Sequence, residues 1–388
     1  MGTDVVVIGG GYAGVMAANR LTQRDDVTVT VINPRTSFVH RMRLHQLVGG
    51  SDDALVEFVD VVADGVRLVV DTVTRIDAPT RTLTLANGDP VGYDHLIYAV
   101  GSGGATPSVP GAAEFAYSVT SLEEALRLRS VLADTPSRAP VTVVGAGPLG
   151  IEVAAELAEV GRAVSLAGPL GPYLHPRGRR SVAKELAKLG VTVLDTATVT
   201  AVTADAVRLD DGRELPSAVT IWTAGFHAPD LARRSGLRTD ALGRLLTDET
   251  LTSVDDDRIV ATGDAAAPSG VPLRMSAQAA LPLGAYAADT VLTRIAGDRP
   301  ADLTLNIAAM CVSLGRRAGV FQFARFDDTA IGLHVAGRLG AKLKEASCQS
   351  PISQLAREAR KPGSHRWPVK DGKRARRVEA ERGAAVAV

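Results

Sequence analysis

The sequence is poor in cysteine and in long apolar runs and carries no excess charge of either sign. Each shortage excludes a class of protein. Its 388 residues include two cysteines, Cys311 and Cys348, which form no CxxC motif and cannot build a disulfide framework. No uninterrupted apolar stretch approaches the roughly 20 residues that a membrane-spanning helix needs. Basic and acidic residues number 43 each, so we expect no general attraction to nucleic acid.

These absences predict where the protein works. The N-terminus enters an apolar strand without a charged leader, which predicts a cytoplasmic protein, at most peripheral on the inner face of the membrane. The histidines lack the spacing of metal ligands, so no metal site is predicted. At roughly 100–200 residues per domain, the length predicts two or three domains. The sequence makes no prediction of the oligomeric state.

A glycine-rich turn follows an apolar strand at two places in the chain. Residues 5–8 lead into the turn at 9–14, and residues 141–144 lead into the turn at 145–150. Each turn opens a helical segment, and a second strand and a meander with a hairpin dipeptide follow. In both copies a glycine that ends a short apolar strand, Gly101 or Gly225, comes thirteen residues after the glycine of that dipeptide. The order and spacing indicate two copies of one βαβ unit.

In a GxGxxG turn, the first glycine permits the tight turn and the second lets a pyrophosphate approach the backbone. The third lets the helix pack closely on the strand, and the helix N-terminus stabilises the phosphate charge. The sequence therefore predicts two dinucleotide sites. Their candidate residues are Gly9, Gly11 and Gly14 in the first turn and Gly145, Gly147 and Gly150 in the second.

The acidic residue that usually ends the second strand and binds a ribose is missing from both copies. The first copy has Asn33 there, which can hydrogen-bond a 2′-hydroxyl. The second has Ala167 and Gly168, with arginines at 177, 179 and 180 a few residues on. These arginines either contact a 2′-phosphate or lie in solvent. Both NADH and NADPH remain open.

Together with the late Thr262-Gly263-Asp264 segment, these motifs resemble the two-dinucleotide-binding flavoprotein superfamily, also called the pyridine nucleotide-disulfide oxidoreductases. The resemblance implies an α/β fold with two Rossmann-like three-layer domains and a small C-terminal region. The FAD domain, residues 1–110 and 250–310, is interrupted by an NAD(P)H domain, residues 111–249. Residues 311–388 form the C-terminal region, with a basic, flexible tail.

The resemblance also implies which residues contact the cofactors. It places Glu152 close to the nicotinamide and Asp264 at the ribityl chain of FAD. The FAD contacts that it implies are Gly9, Gly11, Gly14, Asn33, Arg35, Gly101, Gly263 and Asp264. The implied NAD(P)H contacts are Gly145, Gly147 and Gly150.

Within the superfamily, the sequence is most similar to the type II NADH dehydrogenase group. The supporting segments are Ala-Gln-Ala-Ala at 277–280, Ser-Leu-Gly-Arg-Arg at 313–317 and Lys-Leu-Lys-Glu at 342–345. This likeness implies an FAD-dependent NAD(P)H dehydrogenase that reduces a quinone-like acceptor, with Gln278 in the acceptor site. The sequence departs from the group at Pro282, where the group has a second glutamine, and at residues 38–47.

The departing segment contains Arg41, Arg43 and His45 at alternate positions. If it approaches the flavin, the arginines can offset the phosphate charge of FAD and His45 can exchange a proton with a reduced substrate. If it lies at the surface, the same charges are solvated.

The same residues can be interpreted in favour of other activities, one of which is excluded. The disulfide-reductase branch is excluded because no cysteine pair follows the first turn. A soluble flavin oxidoreductase acting on a small aromatic metabolite or on a ferredoxin-like carrier remains the alternative, with Pro282 and residues 38–47 shaping its acceptor pocket. A non-catalytic nucleotide sensor is a third hypothesis.

Patterns outside the two units predict further elements. Residues 121–132 read as a helix with a capping box, residues 276–295 as a helix despite Pro282, and residues 312–336 as strands. Residues 332–347 also have helical spacing, with Leu333, Leu339 and Leu343 on one face. Beyond Pro351 the periodicity is lost, and no structure is predicted after Trp367.

Overall fold

Two parallel five-stranded sheets carry the fold in the computed structural model, which describes residues 2–367 and 370–386. In chain order the strands are β1 Thr3–Ile8, β2 Val27–Asn33, β3 Ser37–Val39, β4 Leu55–Glu57, β5 Val66–Val70, β6 Val73–Asp77, β7 Thr82–Leu85, β8 Pro90–Gly92, β9 His95–Tyr98, β10 Gly103–Gly104, β11 Ala116–Tyr117, β12 Pro140–Val144, β13 Ala163–Ala167, β14 Thr192–Leu194, β15 Val199–Val202, β16 Ala206–Leu209, β17 Glu214–Pro216, β18 Val219–Trp222, β19 Phe226–His227, β20 Leu245–Thr247, β21 Ile259–Ala261, β22 Ala266–Pro268, β23 Ala309–Leu314, β24 Ala318–Ala324 and β25 Ala330–Ala336.

Helices cover the sheets and connect their strands. In the described part of the chain they are α1 Tyr12–Leu21, α2 Leu44–Gly49, α3 Phe58–Val61, α4 Ala112–Phe115, α5 Leu122–Asp134, α6 Pro148–Glu159, α7 Pro176–Lys188, α8 Leu231–Arg234, α9 Ala277–Ile295, α10 Gly337–Arg360 and α11 Arg374–Val386. Single 3-10 turns lie at Arg41–Arg43 and Gly263–Ala265.

The first sheet has the strand order β21-β9-β1-β2-β5, and every pair in it is parallel. Its central strand is apolar on both sides, and Val5 and Val7 are fully buried, as expected for a parallel sheet covered on two faces. Helices α1 and α9 pack on one face, and the β6-β7-β8 meander and α8 lie on the other. Arg20 of α1 joins the flanking helices by ion pairs to Asp289 at 2.6 Å and Glu358 at 3.2 Å.

The second sheet repeats this plan with the order β11-β18-β12-β13-β14. Its strands are parallel, and α6 connects β12 to β13 as α1 connects β1 to β2. The helix α5 begins with the predicted capping box: Ser121 Oγ accepts from the Glu124 N–H, and Glu124 Oε2 accepts from the Ser121 N–H at 2.9 Å. The predicted α/β fold with two Rossmann-like domains is confirmed.

The boundary after the second sheet lies earlier than the predicted residue 249. Ala228, Leu231 and Ala232 belong to the core around the first sheet, and the Ala232 N–H donates to the hydroxyl of Tyr98 at 3.2 Å. The chain therefore returns to the domain of the first sheet near residue 226, because α8 and β20 bury their apolar side chains against that sheet. The two crossings between the domains pair as the antiparallel strands β10 and β19.

The C-terminal region is an antiparallel sheet, β23-β24-β25, on which α10 packs. The helical spacing seen from residue 332 is misleading for its first turn, because residues 332–336 pair with β24 as part of β25. The helix starts at Gly337 and continues past Pro351 to Arg360, where no periodicity was predicted. It points Lys344 inward and leaves Leu339 59% exposed, so Leu339 of the predicted apolar face is not buried.

Most of the described part of the predicted flexible tail is helical. Helix α11 begins at Arg374, which is 2% exposed and forms two hydrogen bonds with Glu249, at 2.6 and 3.0 Å. This ion pair holds the tail on the domain of the first sheet. The tail residues 368–369 and 387–388 lie outside the described residues. Within the described ranges, no helix combines the length and apolar character that crossing a bilayer requires.

Candidate active site

The first glycine turn forms an open cradle at the N-terminus of α1. Gly9 has a φ of +104°, and a Cβ on Gly14 would overlap the carbonyl oxygen of Gly9, so neither position tolerates a side chain. A Cβ on Gly11, by contrast, would meet no described atom within 4 Å. Because Gly11 caps the helix without a side-chain hydrogen bond, the first N–H groups of α1 face this open space.

The second turn has the same geometry. Gly145 has a φ of +103°, a Cβ on Gly150 would overlap the carbonyl oxygen of Gly145, and Gly147 faces open space. Gly147 likewise leaves the start of α6 without a side-chain cap. Free N–H donors, a positive helix end and absent side chains suit a pyrophosphate, so both turns fit a dinucleotide.

The two units differ at the end of the second strand. Asn33 is 8% exposed, its Oδ1 accepts from the Gly10 N–H at 3.0 Å and its Nδ2 donates to the Arg35 carbonyl at 2.8 Å. Asn33 therefore braces the turn from the place where a ribose contact was predicted. In the second unit no side chain occupies this place, because Gly168 follows β13 directly.

Asp264 lies where the predicted FAD contacts meet. Its Oδ2 accepts from the Ser102 hydroxyl at 2.7 Å, and its Oδ1 accepts from the Ser276 N–H at 3.0 Å. Ser276 caps α9, so Gln278 lies in the first turn of that helix. The structure thus brings Ser102 after β9, the Gly263 turn and the start of α9 together.

The three predicted arginines have separate positions. Arg41 donates to the Thr120 carbonyl at 3.0 Å and lies beside Gly101, where a Cβ would be 3.7 Å from its Nη1. Arg43 is 8% exposed and donates to Glu345 of α10 at 2.5 Å. Arg35 forms a two-pronged ion pair with the exposed Glu123, at 2.7 and 2.6 Å.

Four polar side chains meet in the interior where α2, α6, β23 and α10 pack together. Lys344 Nζ lies 2.8 Å from Glu152 Oε1, and the Ser313 N–H donates to the same oxygen at 3.0 Å. His45 Nδ1 lies 3.7 Å from Glu152 Oε2, and its Nε2 lies 3.1 Å from the Ser313 hydroxyl. We call Glu152, Lys344, His45 and Ser313 the buried tetrad, because none is more than 7% exposed.

The charges of the buried tetrad stabilise one another. Burial has the largest single effect on the pKa of Glu152 and acts to raise it, but Lys344, His45 and the Ser313 N–H together outweigh burial and the pKa is lowered. Burial has the largest single effect on the pKa of Lys344 and acts to lower it, but the Glu152 carboxylate, with Cys311 and Cys348, outweighs burial and the pKa is raised. For His45 burial prevails and lowers the pKa to about 4. At neutral pH the tetrad holds a carboxylate, an ammonium and a neutral imidazole.

A second buried pair lies at the start of α1. The Tyr12 hydroxyl is 2.6 Å from His40 Nδ1, and it accepts from the Met42 N–H at 3.4 Å. Burial lowers the pKa of His40 to about 4 and raises that of Tyr12. Tyr12 therefore holds the segment of Arg41 and Arg43 against the first glycine turn.

Residues 3–284 match the family described as pyridine nucleotide-disulphide oxidoreductase. The chain belongs to this family. The NADH dehydrogenase-like protein Rv1812c of Mycobacterium tuberculosis is 32% identical over 320 residues, which cover 75% of this chain and 80% of that protein. The type II NADH:quinone oxidoreductase Ndh of M. tuberculosis is 30% identical over 349 residues, which cover 77% and 74%. Among solved structures, NDH2 of Plasmodium falciparum with NADH has a TM-score of 0.76 at 15% identity, covering 94% of this chain and 99% of that one.

Membership in the pyridine nucleotide-disulphide oxidoreductases confirms the predicted superfamily, the type II NADH dehydrogenase-like group and the pair of cofactors, FAD and a nicotinamide nucleotide. This family member is an oxidoreductase of the non-disulfide type. Its cysteines lie in the C-terminal region, with Cys311 half-buried on β23 and Cys348 fully buried on α10.

Sequence reasoning did not find every residue of the tetrad. The sequence singled out Lys344 and Ser313 only as members of motifs and gave neither of them a role in the site. A signal for Lys344 was present: it lies four residues after Gly340 and four before Cys348, on the stripe of α10 that is buried. A long basic side chain on such a stripe indicates a buried partner of opposite charge.

Proposed function

We propose that this protein carries two electrons from NADH or NADPH, through FAD, to a quinone-like acceptor. The observation that carries the proposal is the buried tetrad. It begins with Glu152, one turn inside the helix that the second glycine turn opens. A charged, water-excluded Lys–Glu pair beside a nucleotide site is suited to proton exchange with a reduced acceptor. The name of the M. tuberculosis relative Ndh supports a quinone as that acceptor.

The first unit would hold FAD. We propose that the turn at 9–14 binds its pyrophosphate, that Asn33 lies near its ribose and that Asp264 orients its ribityl chain. Arg41, which lies beside Gly101, would offset phosphate charge. When bound, FAD accepts a hydride from the nicotinamide and yields two electrons to a second acceptor.

The other two arginines would have a bracing role. Arg43 and Arg35 already have carboxylate partners, Glu345 and Glu123. We propose that Arg43 fixes α10, and with it Lys344, against the segment that leads into α2. Arg35 would hold the entry of α5 at the edge of the FAD domain.

The second unit would hold the nicotinamide nucleotide on the turn at 145–150. The place at Gly168 offers no carboxylate to repel a 2′-phosphate, so we propose that NADPH binds as well as NADH. Glu152 would then lie near the nicotinamide, as the family resemblance implies.

The overall reaction consumes one proton: NADH, a quinone and a proton give NAD⁺ and a hydroquinone. We propose that Lys344 Nζ holds a proton toward the acceptor oxygen and that Glu152 keeps it charged and oriented. His45 Nε2 would exchange a proton with the Ser313 hydroxyl, 3.1 Å away. Gln278 would line the acceptor site from α9.

We further propose that the protein works at the inner face of the membrane, where lipid quinones dissolve. Three large apolar side chains are exposed within 14 residues of the C-terminal region: Phe326 at 56%, Leu333 at 59% and Leu339 at 59%. Arg338 and Lys342 lie in the same stretch and would favour anionic lipid.

The test starts from the purified, FAD-loaded protein. We expect a flavin absorption spectrum that bleaches within seconds of anaerobic mixing with NADH or NADPH in a stopped-flow instrument, and that recovers on addition of menadione. A ferredoxin-like carrier should not restore the spectrum. A colourless protein that FAD cannot reconstitute, or a flavin that neither nucleotide reduces, would refute the proposal. Recovery with the carrier but not with menadione would support the alternative acceptor.

A further inference from the structure

A second carboxyl is buried one helical turn beyond the tetrad. Glu156 of α6 is 2% exposed, and its Oε1 accepts a hydrogen bond from the hydroxyl of Ser51. Its Oε2 is buried and has no hydrogen-bond partner among the described residues. Most buried polar atoms are hydrogen-bonded, so an unpartnered carboxyl oxygen needs an explanation.

Helices α2 and α6 pack side by side next to the Glu156 carboxyl, so residues of one helix lie opposite residues of the other. His45 lies opposite Glu152, at 3.7 Å, and Gly49 lies opposite Glu156 one turn further on. A Cβ on Gly49 would overlap Cγ of Glu156. The missing side chain therefore makes the room in which the Glu156 carboxyl lies.

This arrangement links the tetrad to solvent. Ser51 follows α2 and is exposed, while its hydrogen-bond partner Glu156 is buried. Residues four apart on one helix have Cβ atoms about 5–6 Å apart, so one water can bridge the unpartnered Oε2 of Glu156 and the Glu152 carboxylate. The continuous order from the surface inward is Ser51, Glu156, Glu152 and Lys344.

We propose that Glu156 relays the proton consumed in each turnover from solvent to the Glu152–Lys344 pair. This inference rests on the proposed function. NADH delivers two electrons and one proton as a hydride, and forming a hydroquinone requires two electrons and two protons, so the second proton comes from water. The carboxylic acid of Glu156 gives its proton toward Glu152 as the pair protonates the acceptor oxygen, and is reprotonated from water at Ser51.

The charges around Glu156 suit this role. Burial raises its pKa, and the Glu159 and Glu152 carboxylates of the same helix act in the same direction. The Ser51 hydroxyl beyond α2 and Arg316, between β23 and β24, act to lower it without reversing the shift. Glu156 therefore carries a proton more readily than an ordinary carboxyl near neutral pH.

The experiment compares the holoenzyme with its Glu156→Gln variant in two half-reactions. Bleaching of the flavin by NADH needs no solvent proton at the acceptor, and we expect it to stay within about twofold of the wild-type rate. Recovery with menadione should slow about 10–100-fold, in line with the loss of one general acid–base group. The slowing should grow with pH, and the solvent deuterium isotope effect of this step should be at least as large in the variant as in the wild type, because proton delivery then limits the rate.

Two further variants complete the test. Glu159→Gln removes the next acid of α6, whose carboxylate accepts from the Arg316 N–H at 2.6 Å; it should leave bleaching unchanged and slow recovery less than about twofold, because it affects Glu156 only through its charge. Ser51→Ala keeps the fold and should slow recovery less than Glu156→Gln does. If menadione recovery in Glu156→Gln and Ser51→Ala keeps the wild-type rate and pH profile, the relay is wrong while the proposed function stands. If menadione does not reoxidise the wild-type flavin, the proposed function and the relay both fail.

Discussion

The two dinucleotide units have the same turn and different helices. Gly9 and Gly145 have φ values of +104° and +103°, and in each unit the second glycine faces open space. With an offset of 136 residues, Met16 of α1 corresponds to Glu152 of α6, and Arg20 corresponds to Glu156. The turn determines where a phosphate binds, whereas the buried face of the helix determines the chemistry beside it.

The burial of these helices explains the difference. Nine of the ten residues of α1 are buried, and Met16 is fully buried in apolar surroundings. Helix α6 is also deeply buried, yet it packs against α2 and β23 with two carboxylates facing inward. Such groups are costly unless paired, so their presence indicates a use that the first unit does not have.

The largest effect on cofactor binding is expected from substituting the third glycine of each turn, one turn at a time. Gly14→Ala and Gly150→Ala each force a methyl group onto a backbone carbonyl, which costs about 1–3 kcal/mol or more. Gly14→Ala should lose FAD, whereas Gly150→Ala should stay yellow and lose reduction by NADH. Absorbance at the flavin band and stopped-flow reduction distinguish the two outcomes.

The matched controls are Gly11→Ala and Gly147→Ala, whose methyl groups meet no described atom within 4 Å. They should weaken cofactor binding without lowering the unfolding temperature of the cofactor-free protein. A yellow Gly14→Ala protein that NADH reduces normally would contradict the assignment of FAD to the first turn.

The next effect comes from making α6 resemble α1. Lys344→Met leaves the Glu152 carboxylate buried without its partner and should lower the free energy of unfolding by about 3–5 kcal/mol. Adding Glu152→Met, which copies Met16, should recover most of that loss while menadione turnover stays absent. Urea unfolding of the single and double variants measures both changes, and a double variant as unstable as Lys344→Met would contradict the pairing.

The buried charges of Glu152 and Lys344 also predict how the stability of the protein depends on pH, with the double variant as the reference. The lowered pKa of Glu152 contributes stability above its ordinary value of 4.5, and that contribution is lost as the pH falls. The raised pKa of Lys344 contributes stability below its ordinary value of 10.5, and that contribution is lost as the pH rises. The stability of the wild type relative to the double variant should therefore fall at both ends of a urea-unfolding series across pH. A stability difference between the two proteins that does not change with pH would contradict this prediction.

A smaller effect is expected at Asn33, because only the first unit has a side chain at the end of its second strand. Asn33→Ala leaves the Gly10 N–H without its acceptor and should cost about 1–3 kcal/mol and weaken FAD binding. Asn33→Asp keeps an acceptor oxygen and should retain most of the affinity. Titration of the cofactor-free protein with FAD measures both. Equal affinity for FAD in the Asn33→Ala and Asn33→Asp variants would show that the side-chain oxygen is not what stabilises the turn.

The smallest effect is expected from Arg35→Ala. Its ion pair with Glu123 is about one-third exposed on the arginine side and mostly exposed on the carboxylate side, and such pairs contribute about 0.2–1 kcal/mol. We expect the affinity for FAD to change less than about threefold on the scale where 1.4 kcal/mol is tenfold. A tenfold weaker affinity for FAD would instead indicate that Arg35 contacts FAD directly.

The sequence predicted the elements whose signals are local. The glycine turns, the capping box of Ser121 and the helix from Ala277 depend on residues within a few positions of one another, and the structure has them where they were expected. The domain boundary near residue 226 and the helix α11 were not predicted. Both depend on which surface an ambiguous segment packs against, and no local pattern contains that surface.

By itself the sequence determined the two dinucleotide turns, the α/β fold and the family, because glycine conformation and strand–turn–helix order are encoded along the chain. Only the tertiary structure decided that Lys344 points inward, that His45 faces Glu152 and that Glu156 lies in the space left by Gly49. These contacts join segments 107 to 192 residues apart. The docking of α10 and α2 on α6 selects which polar groups are buried together, and their charges make one another stable there.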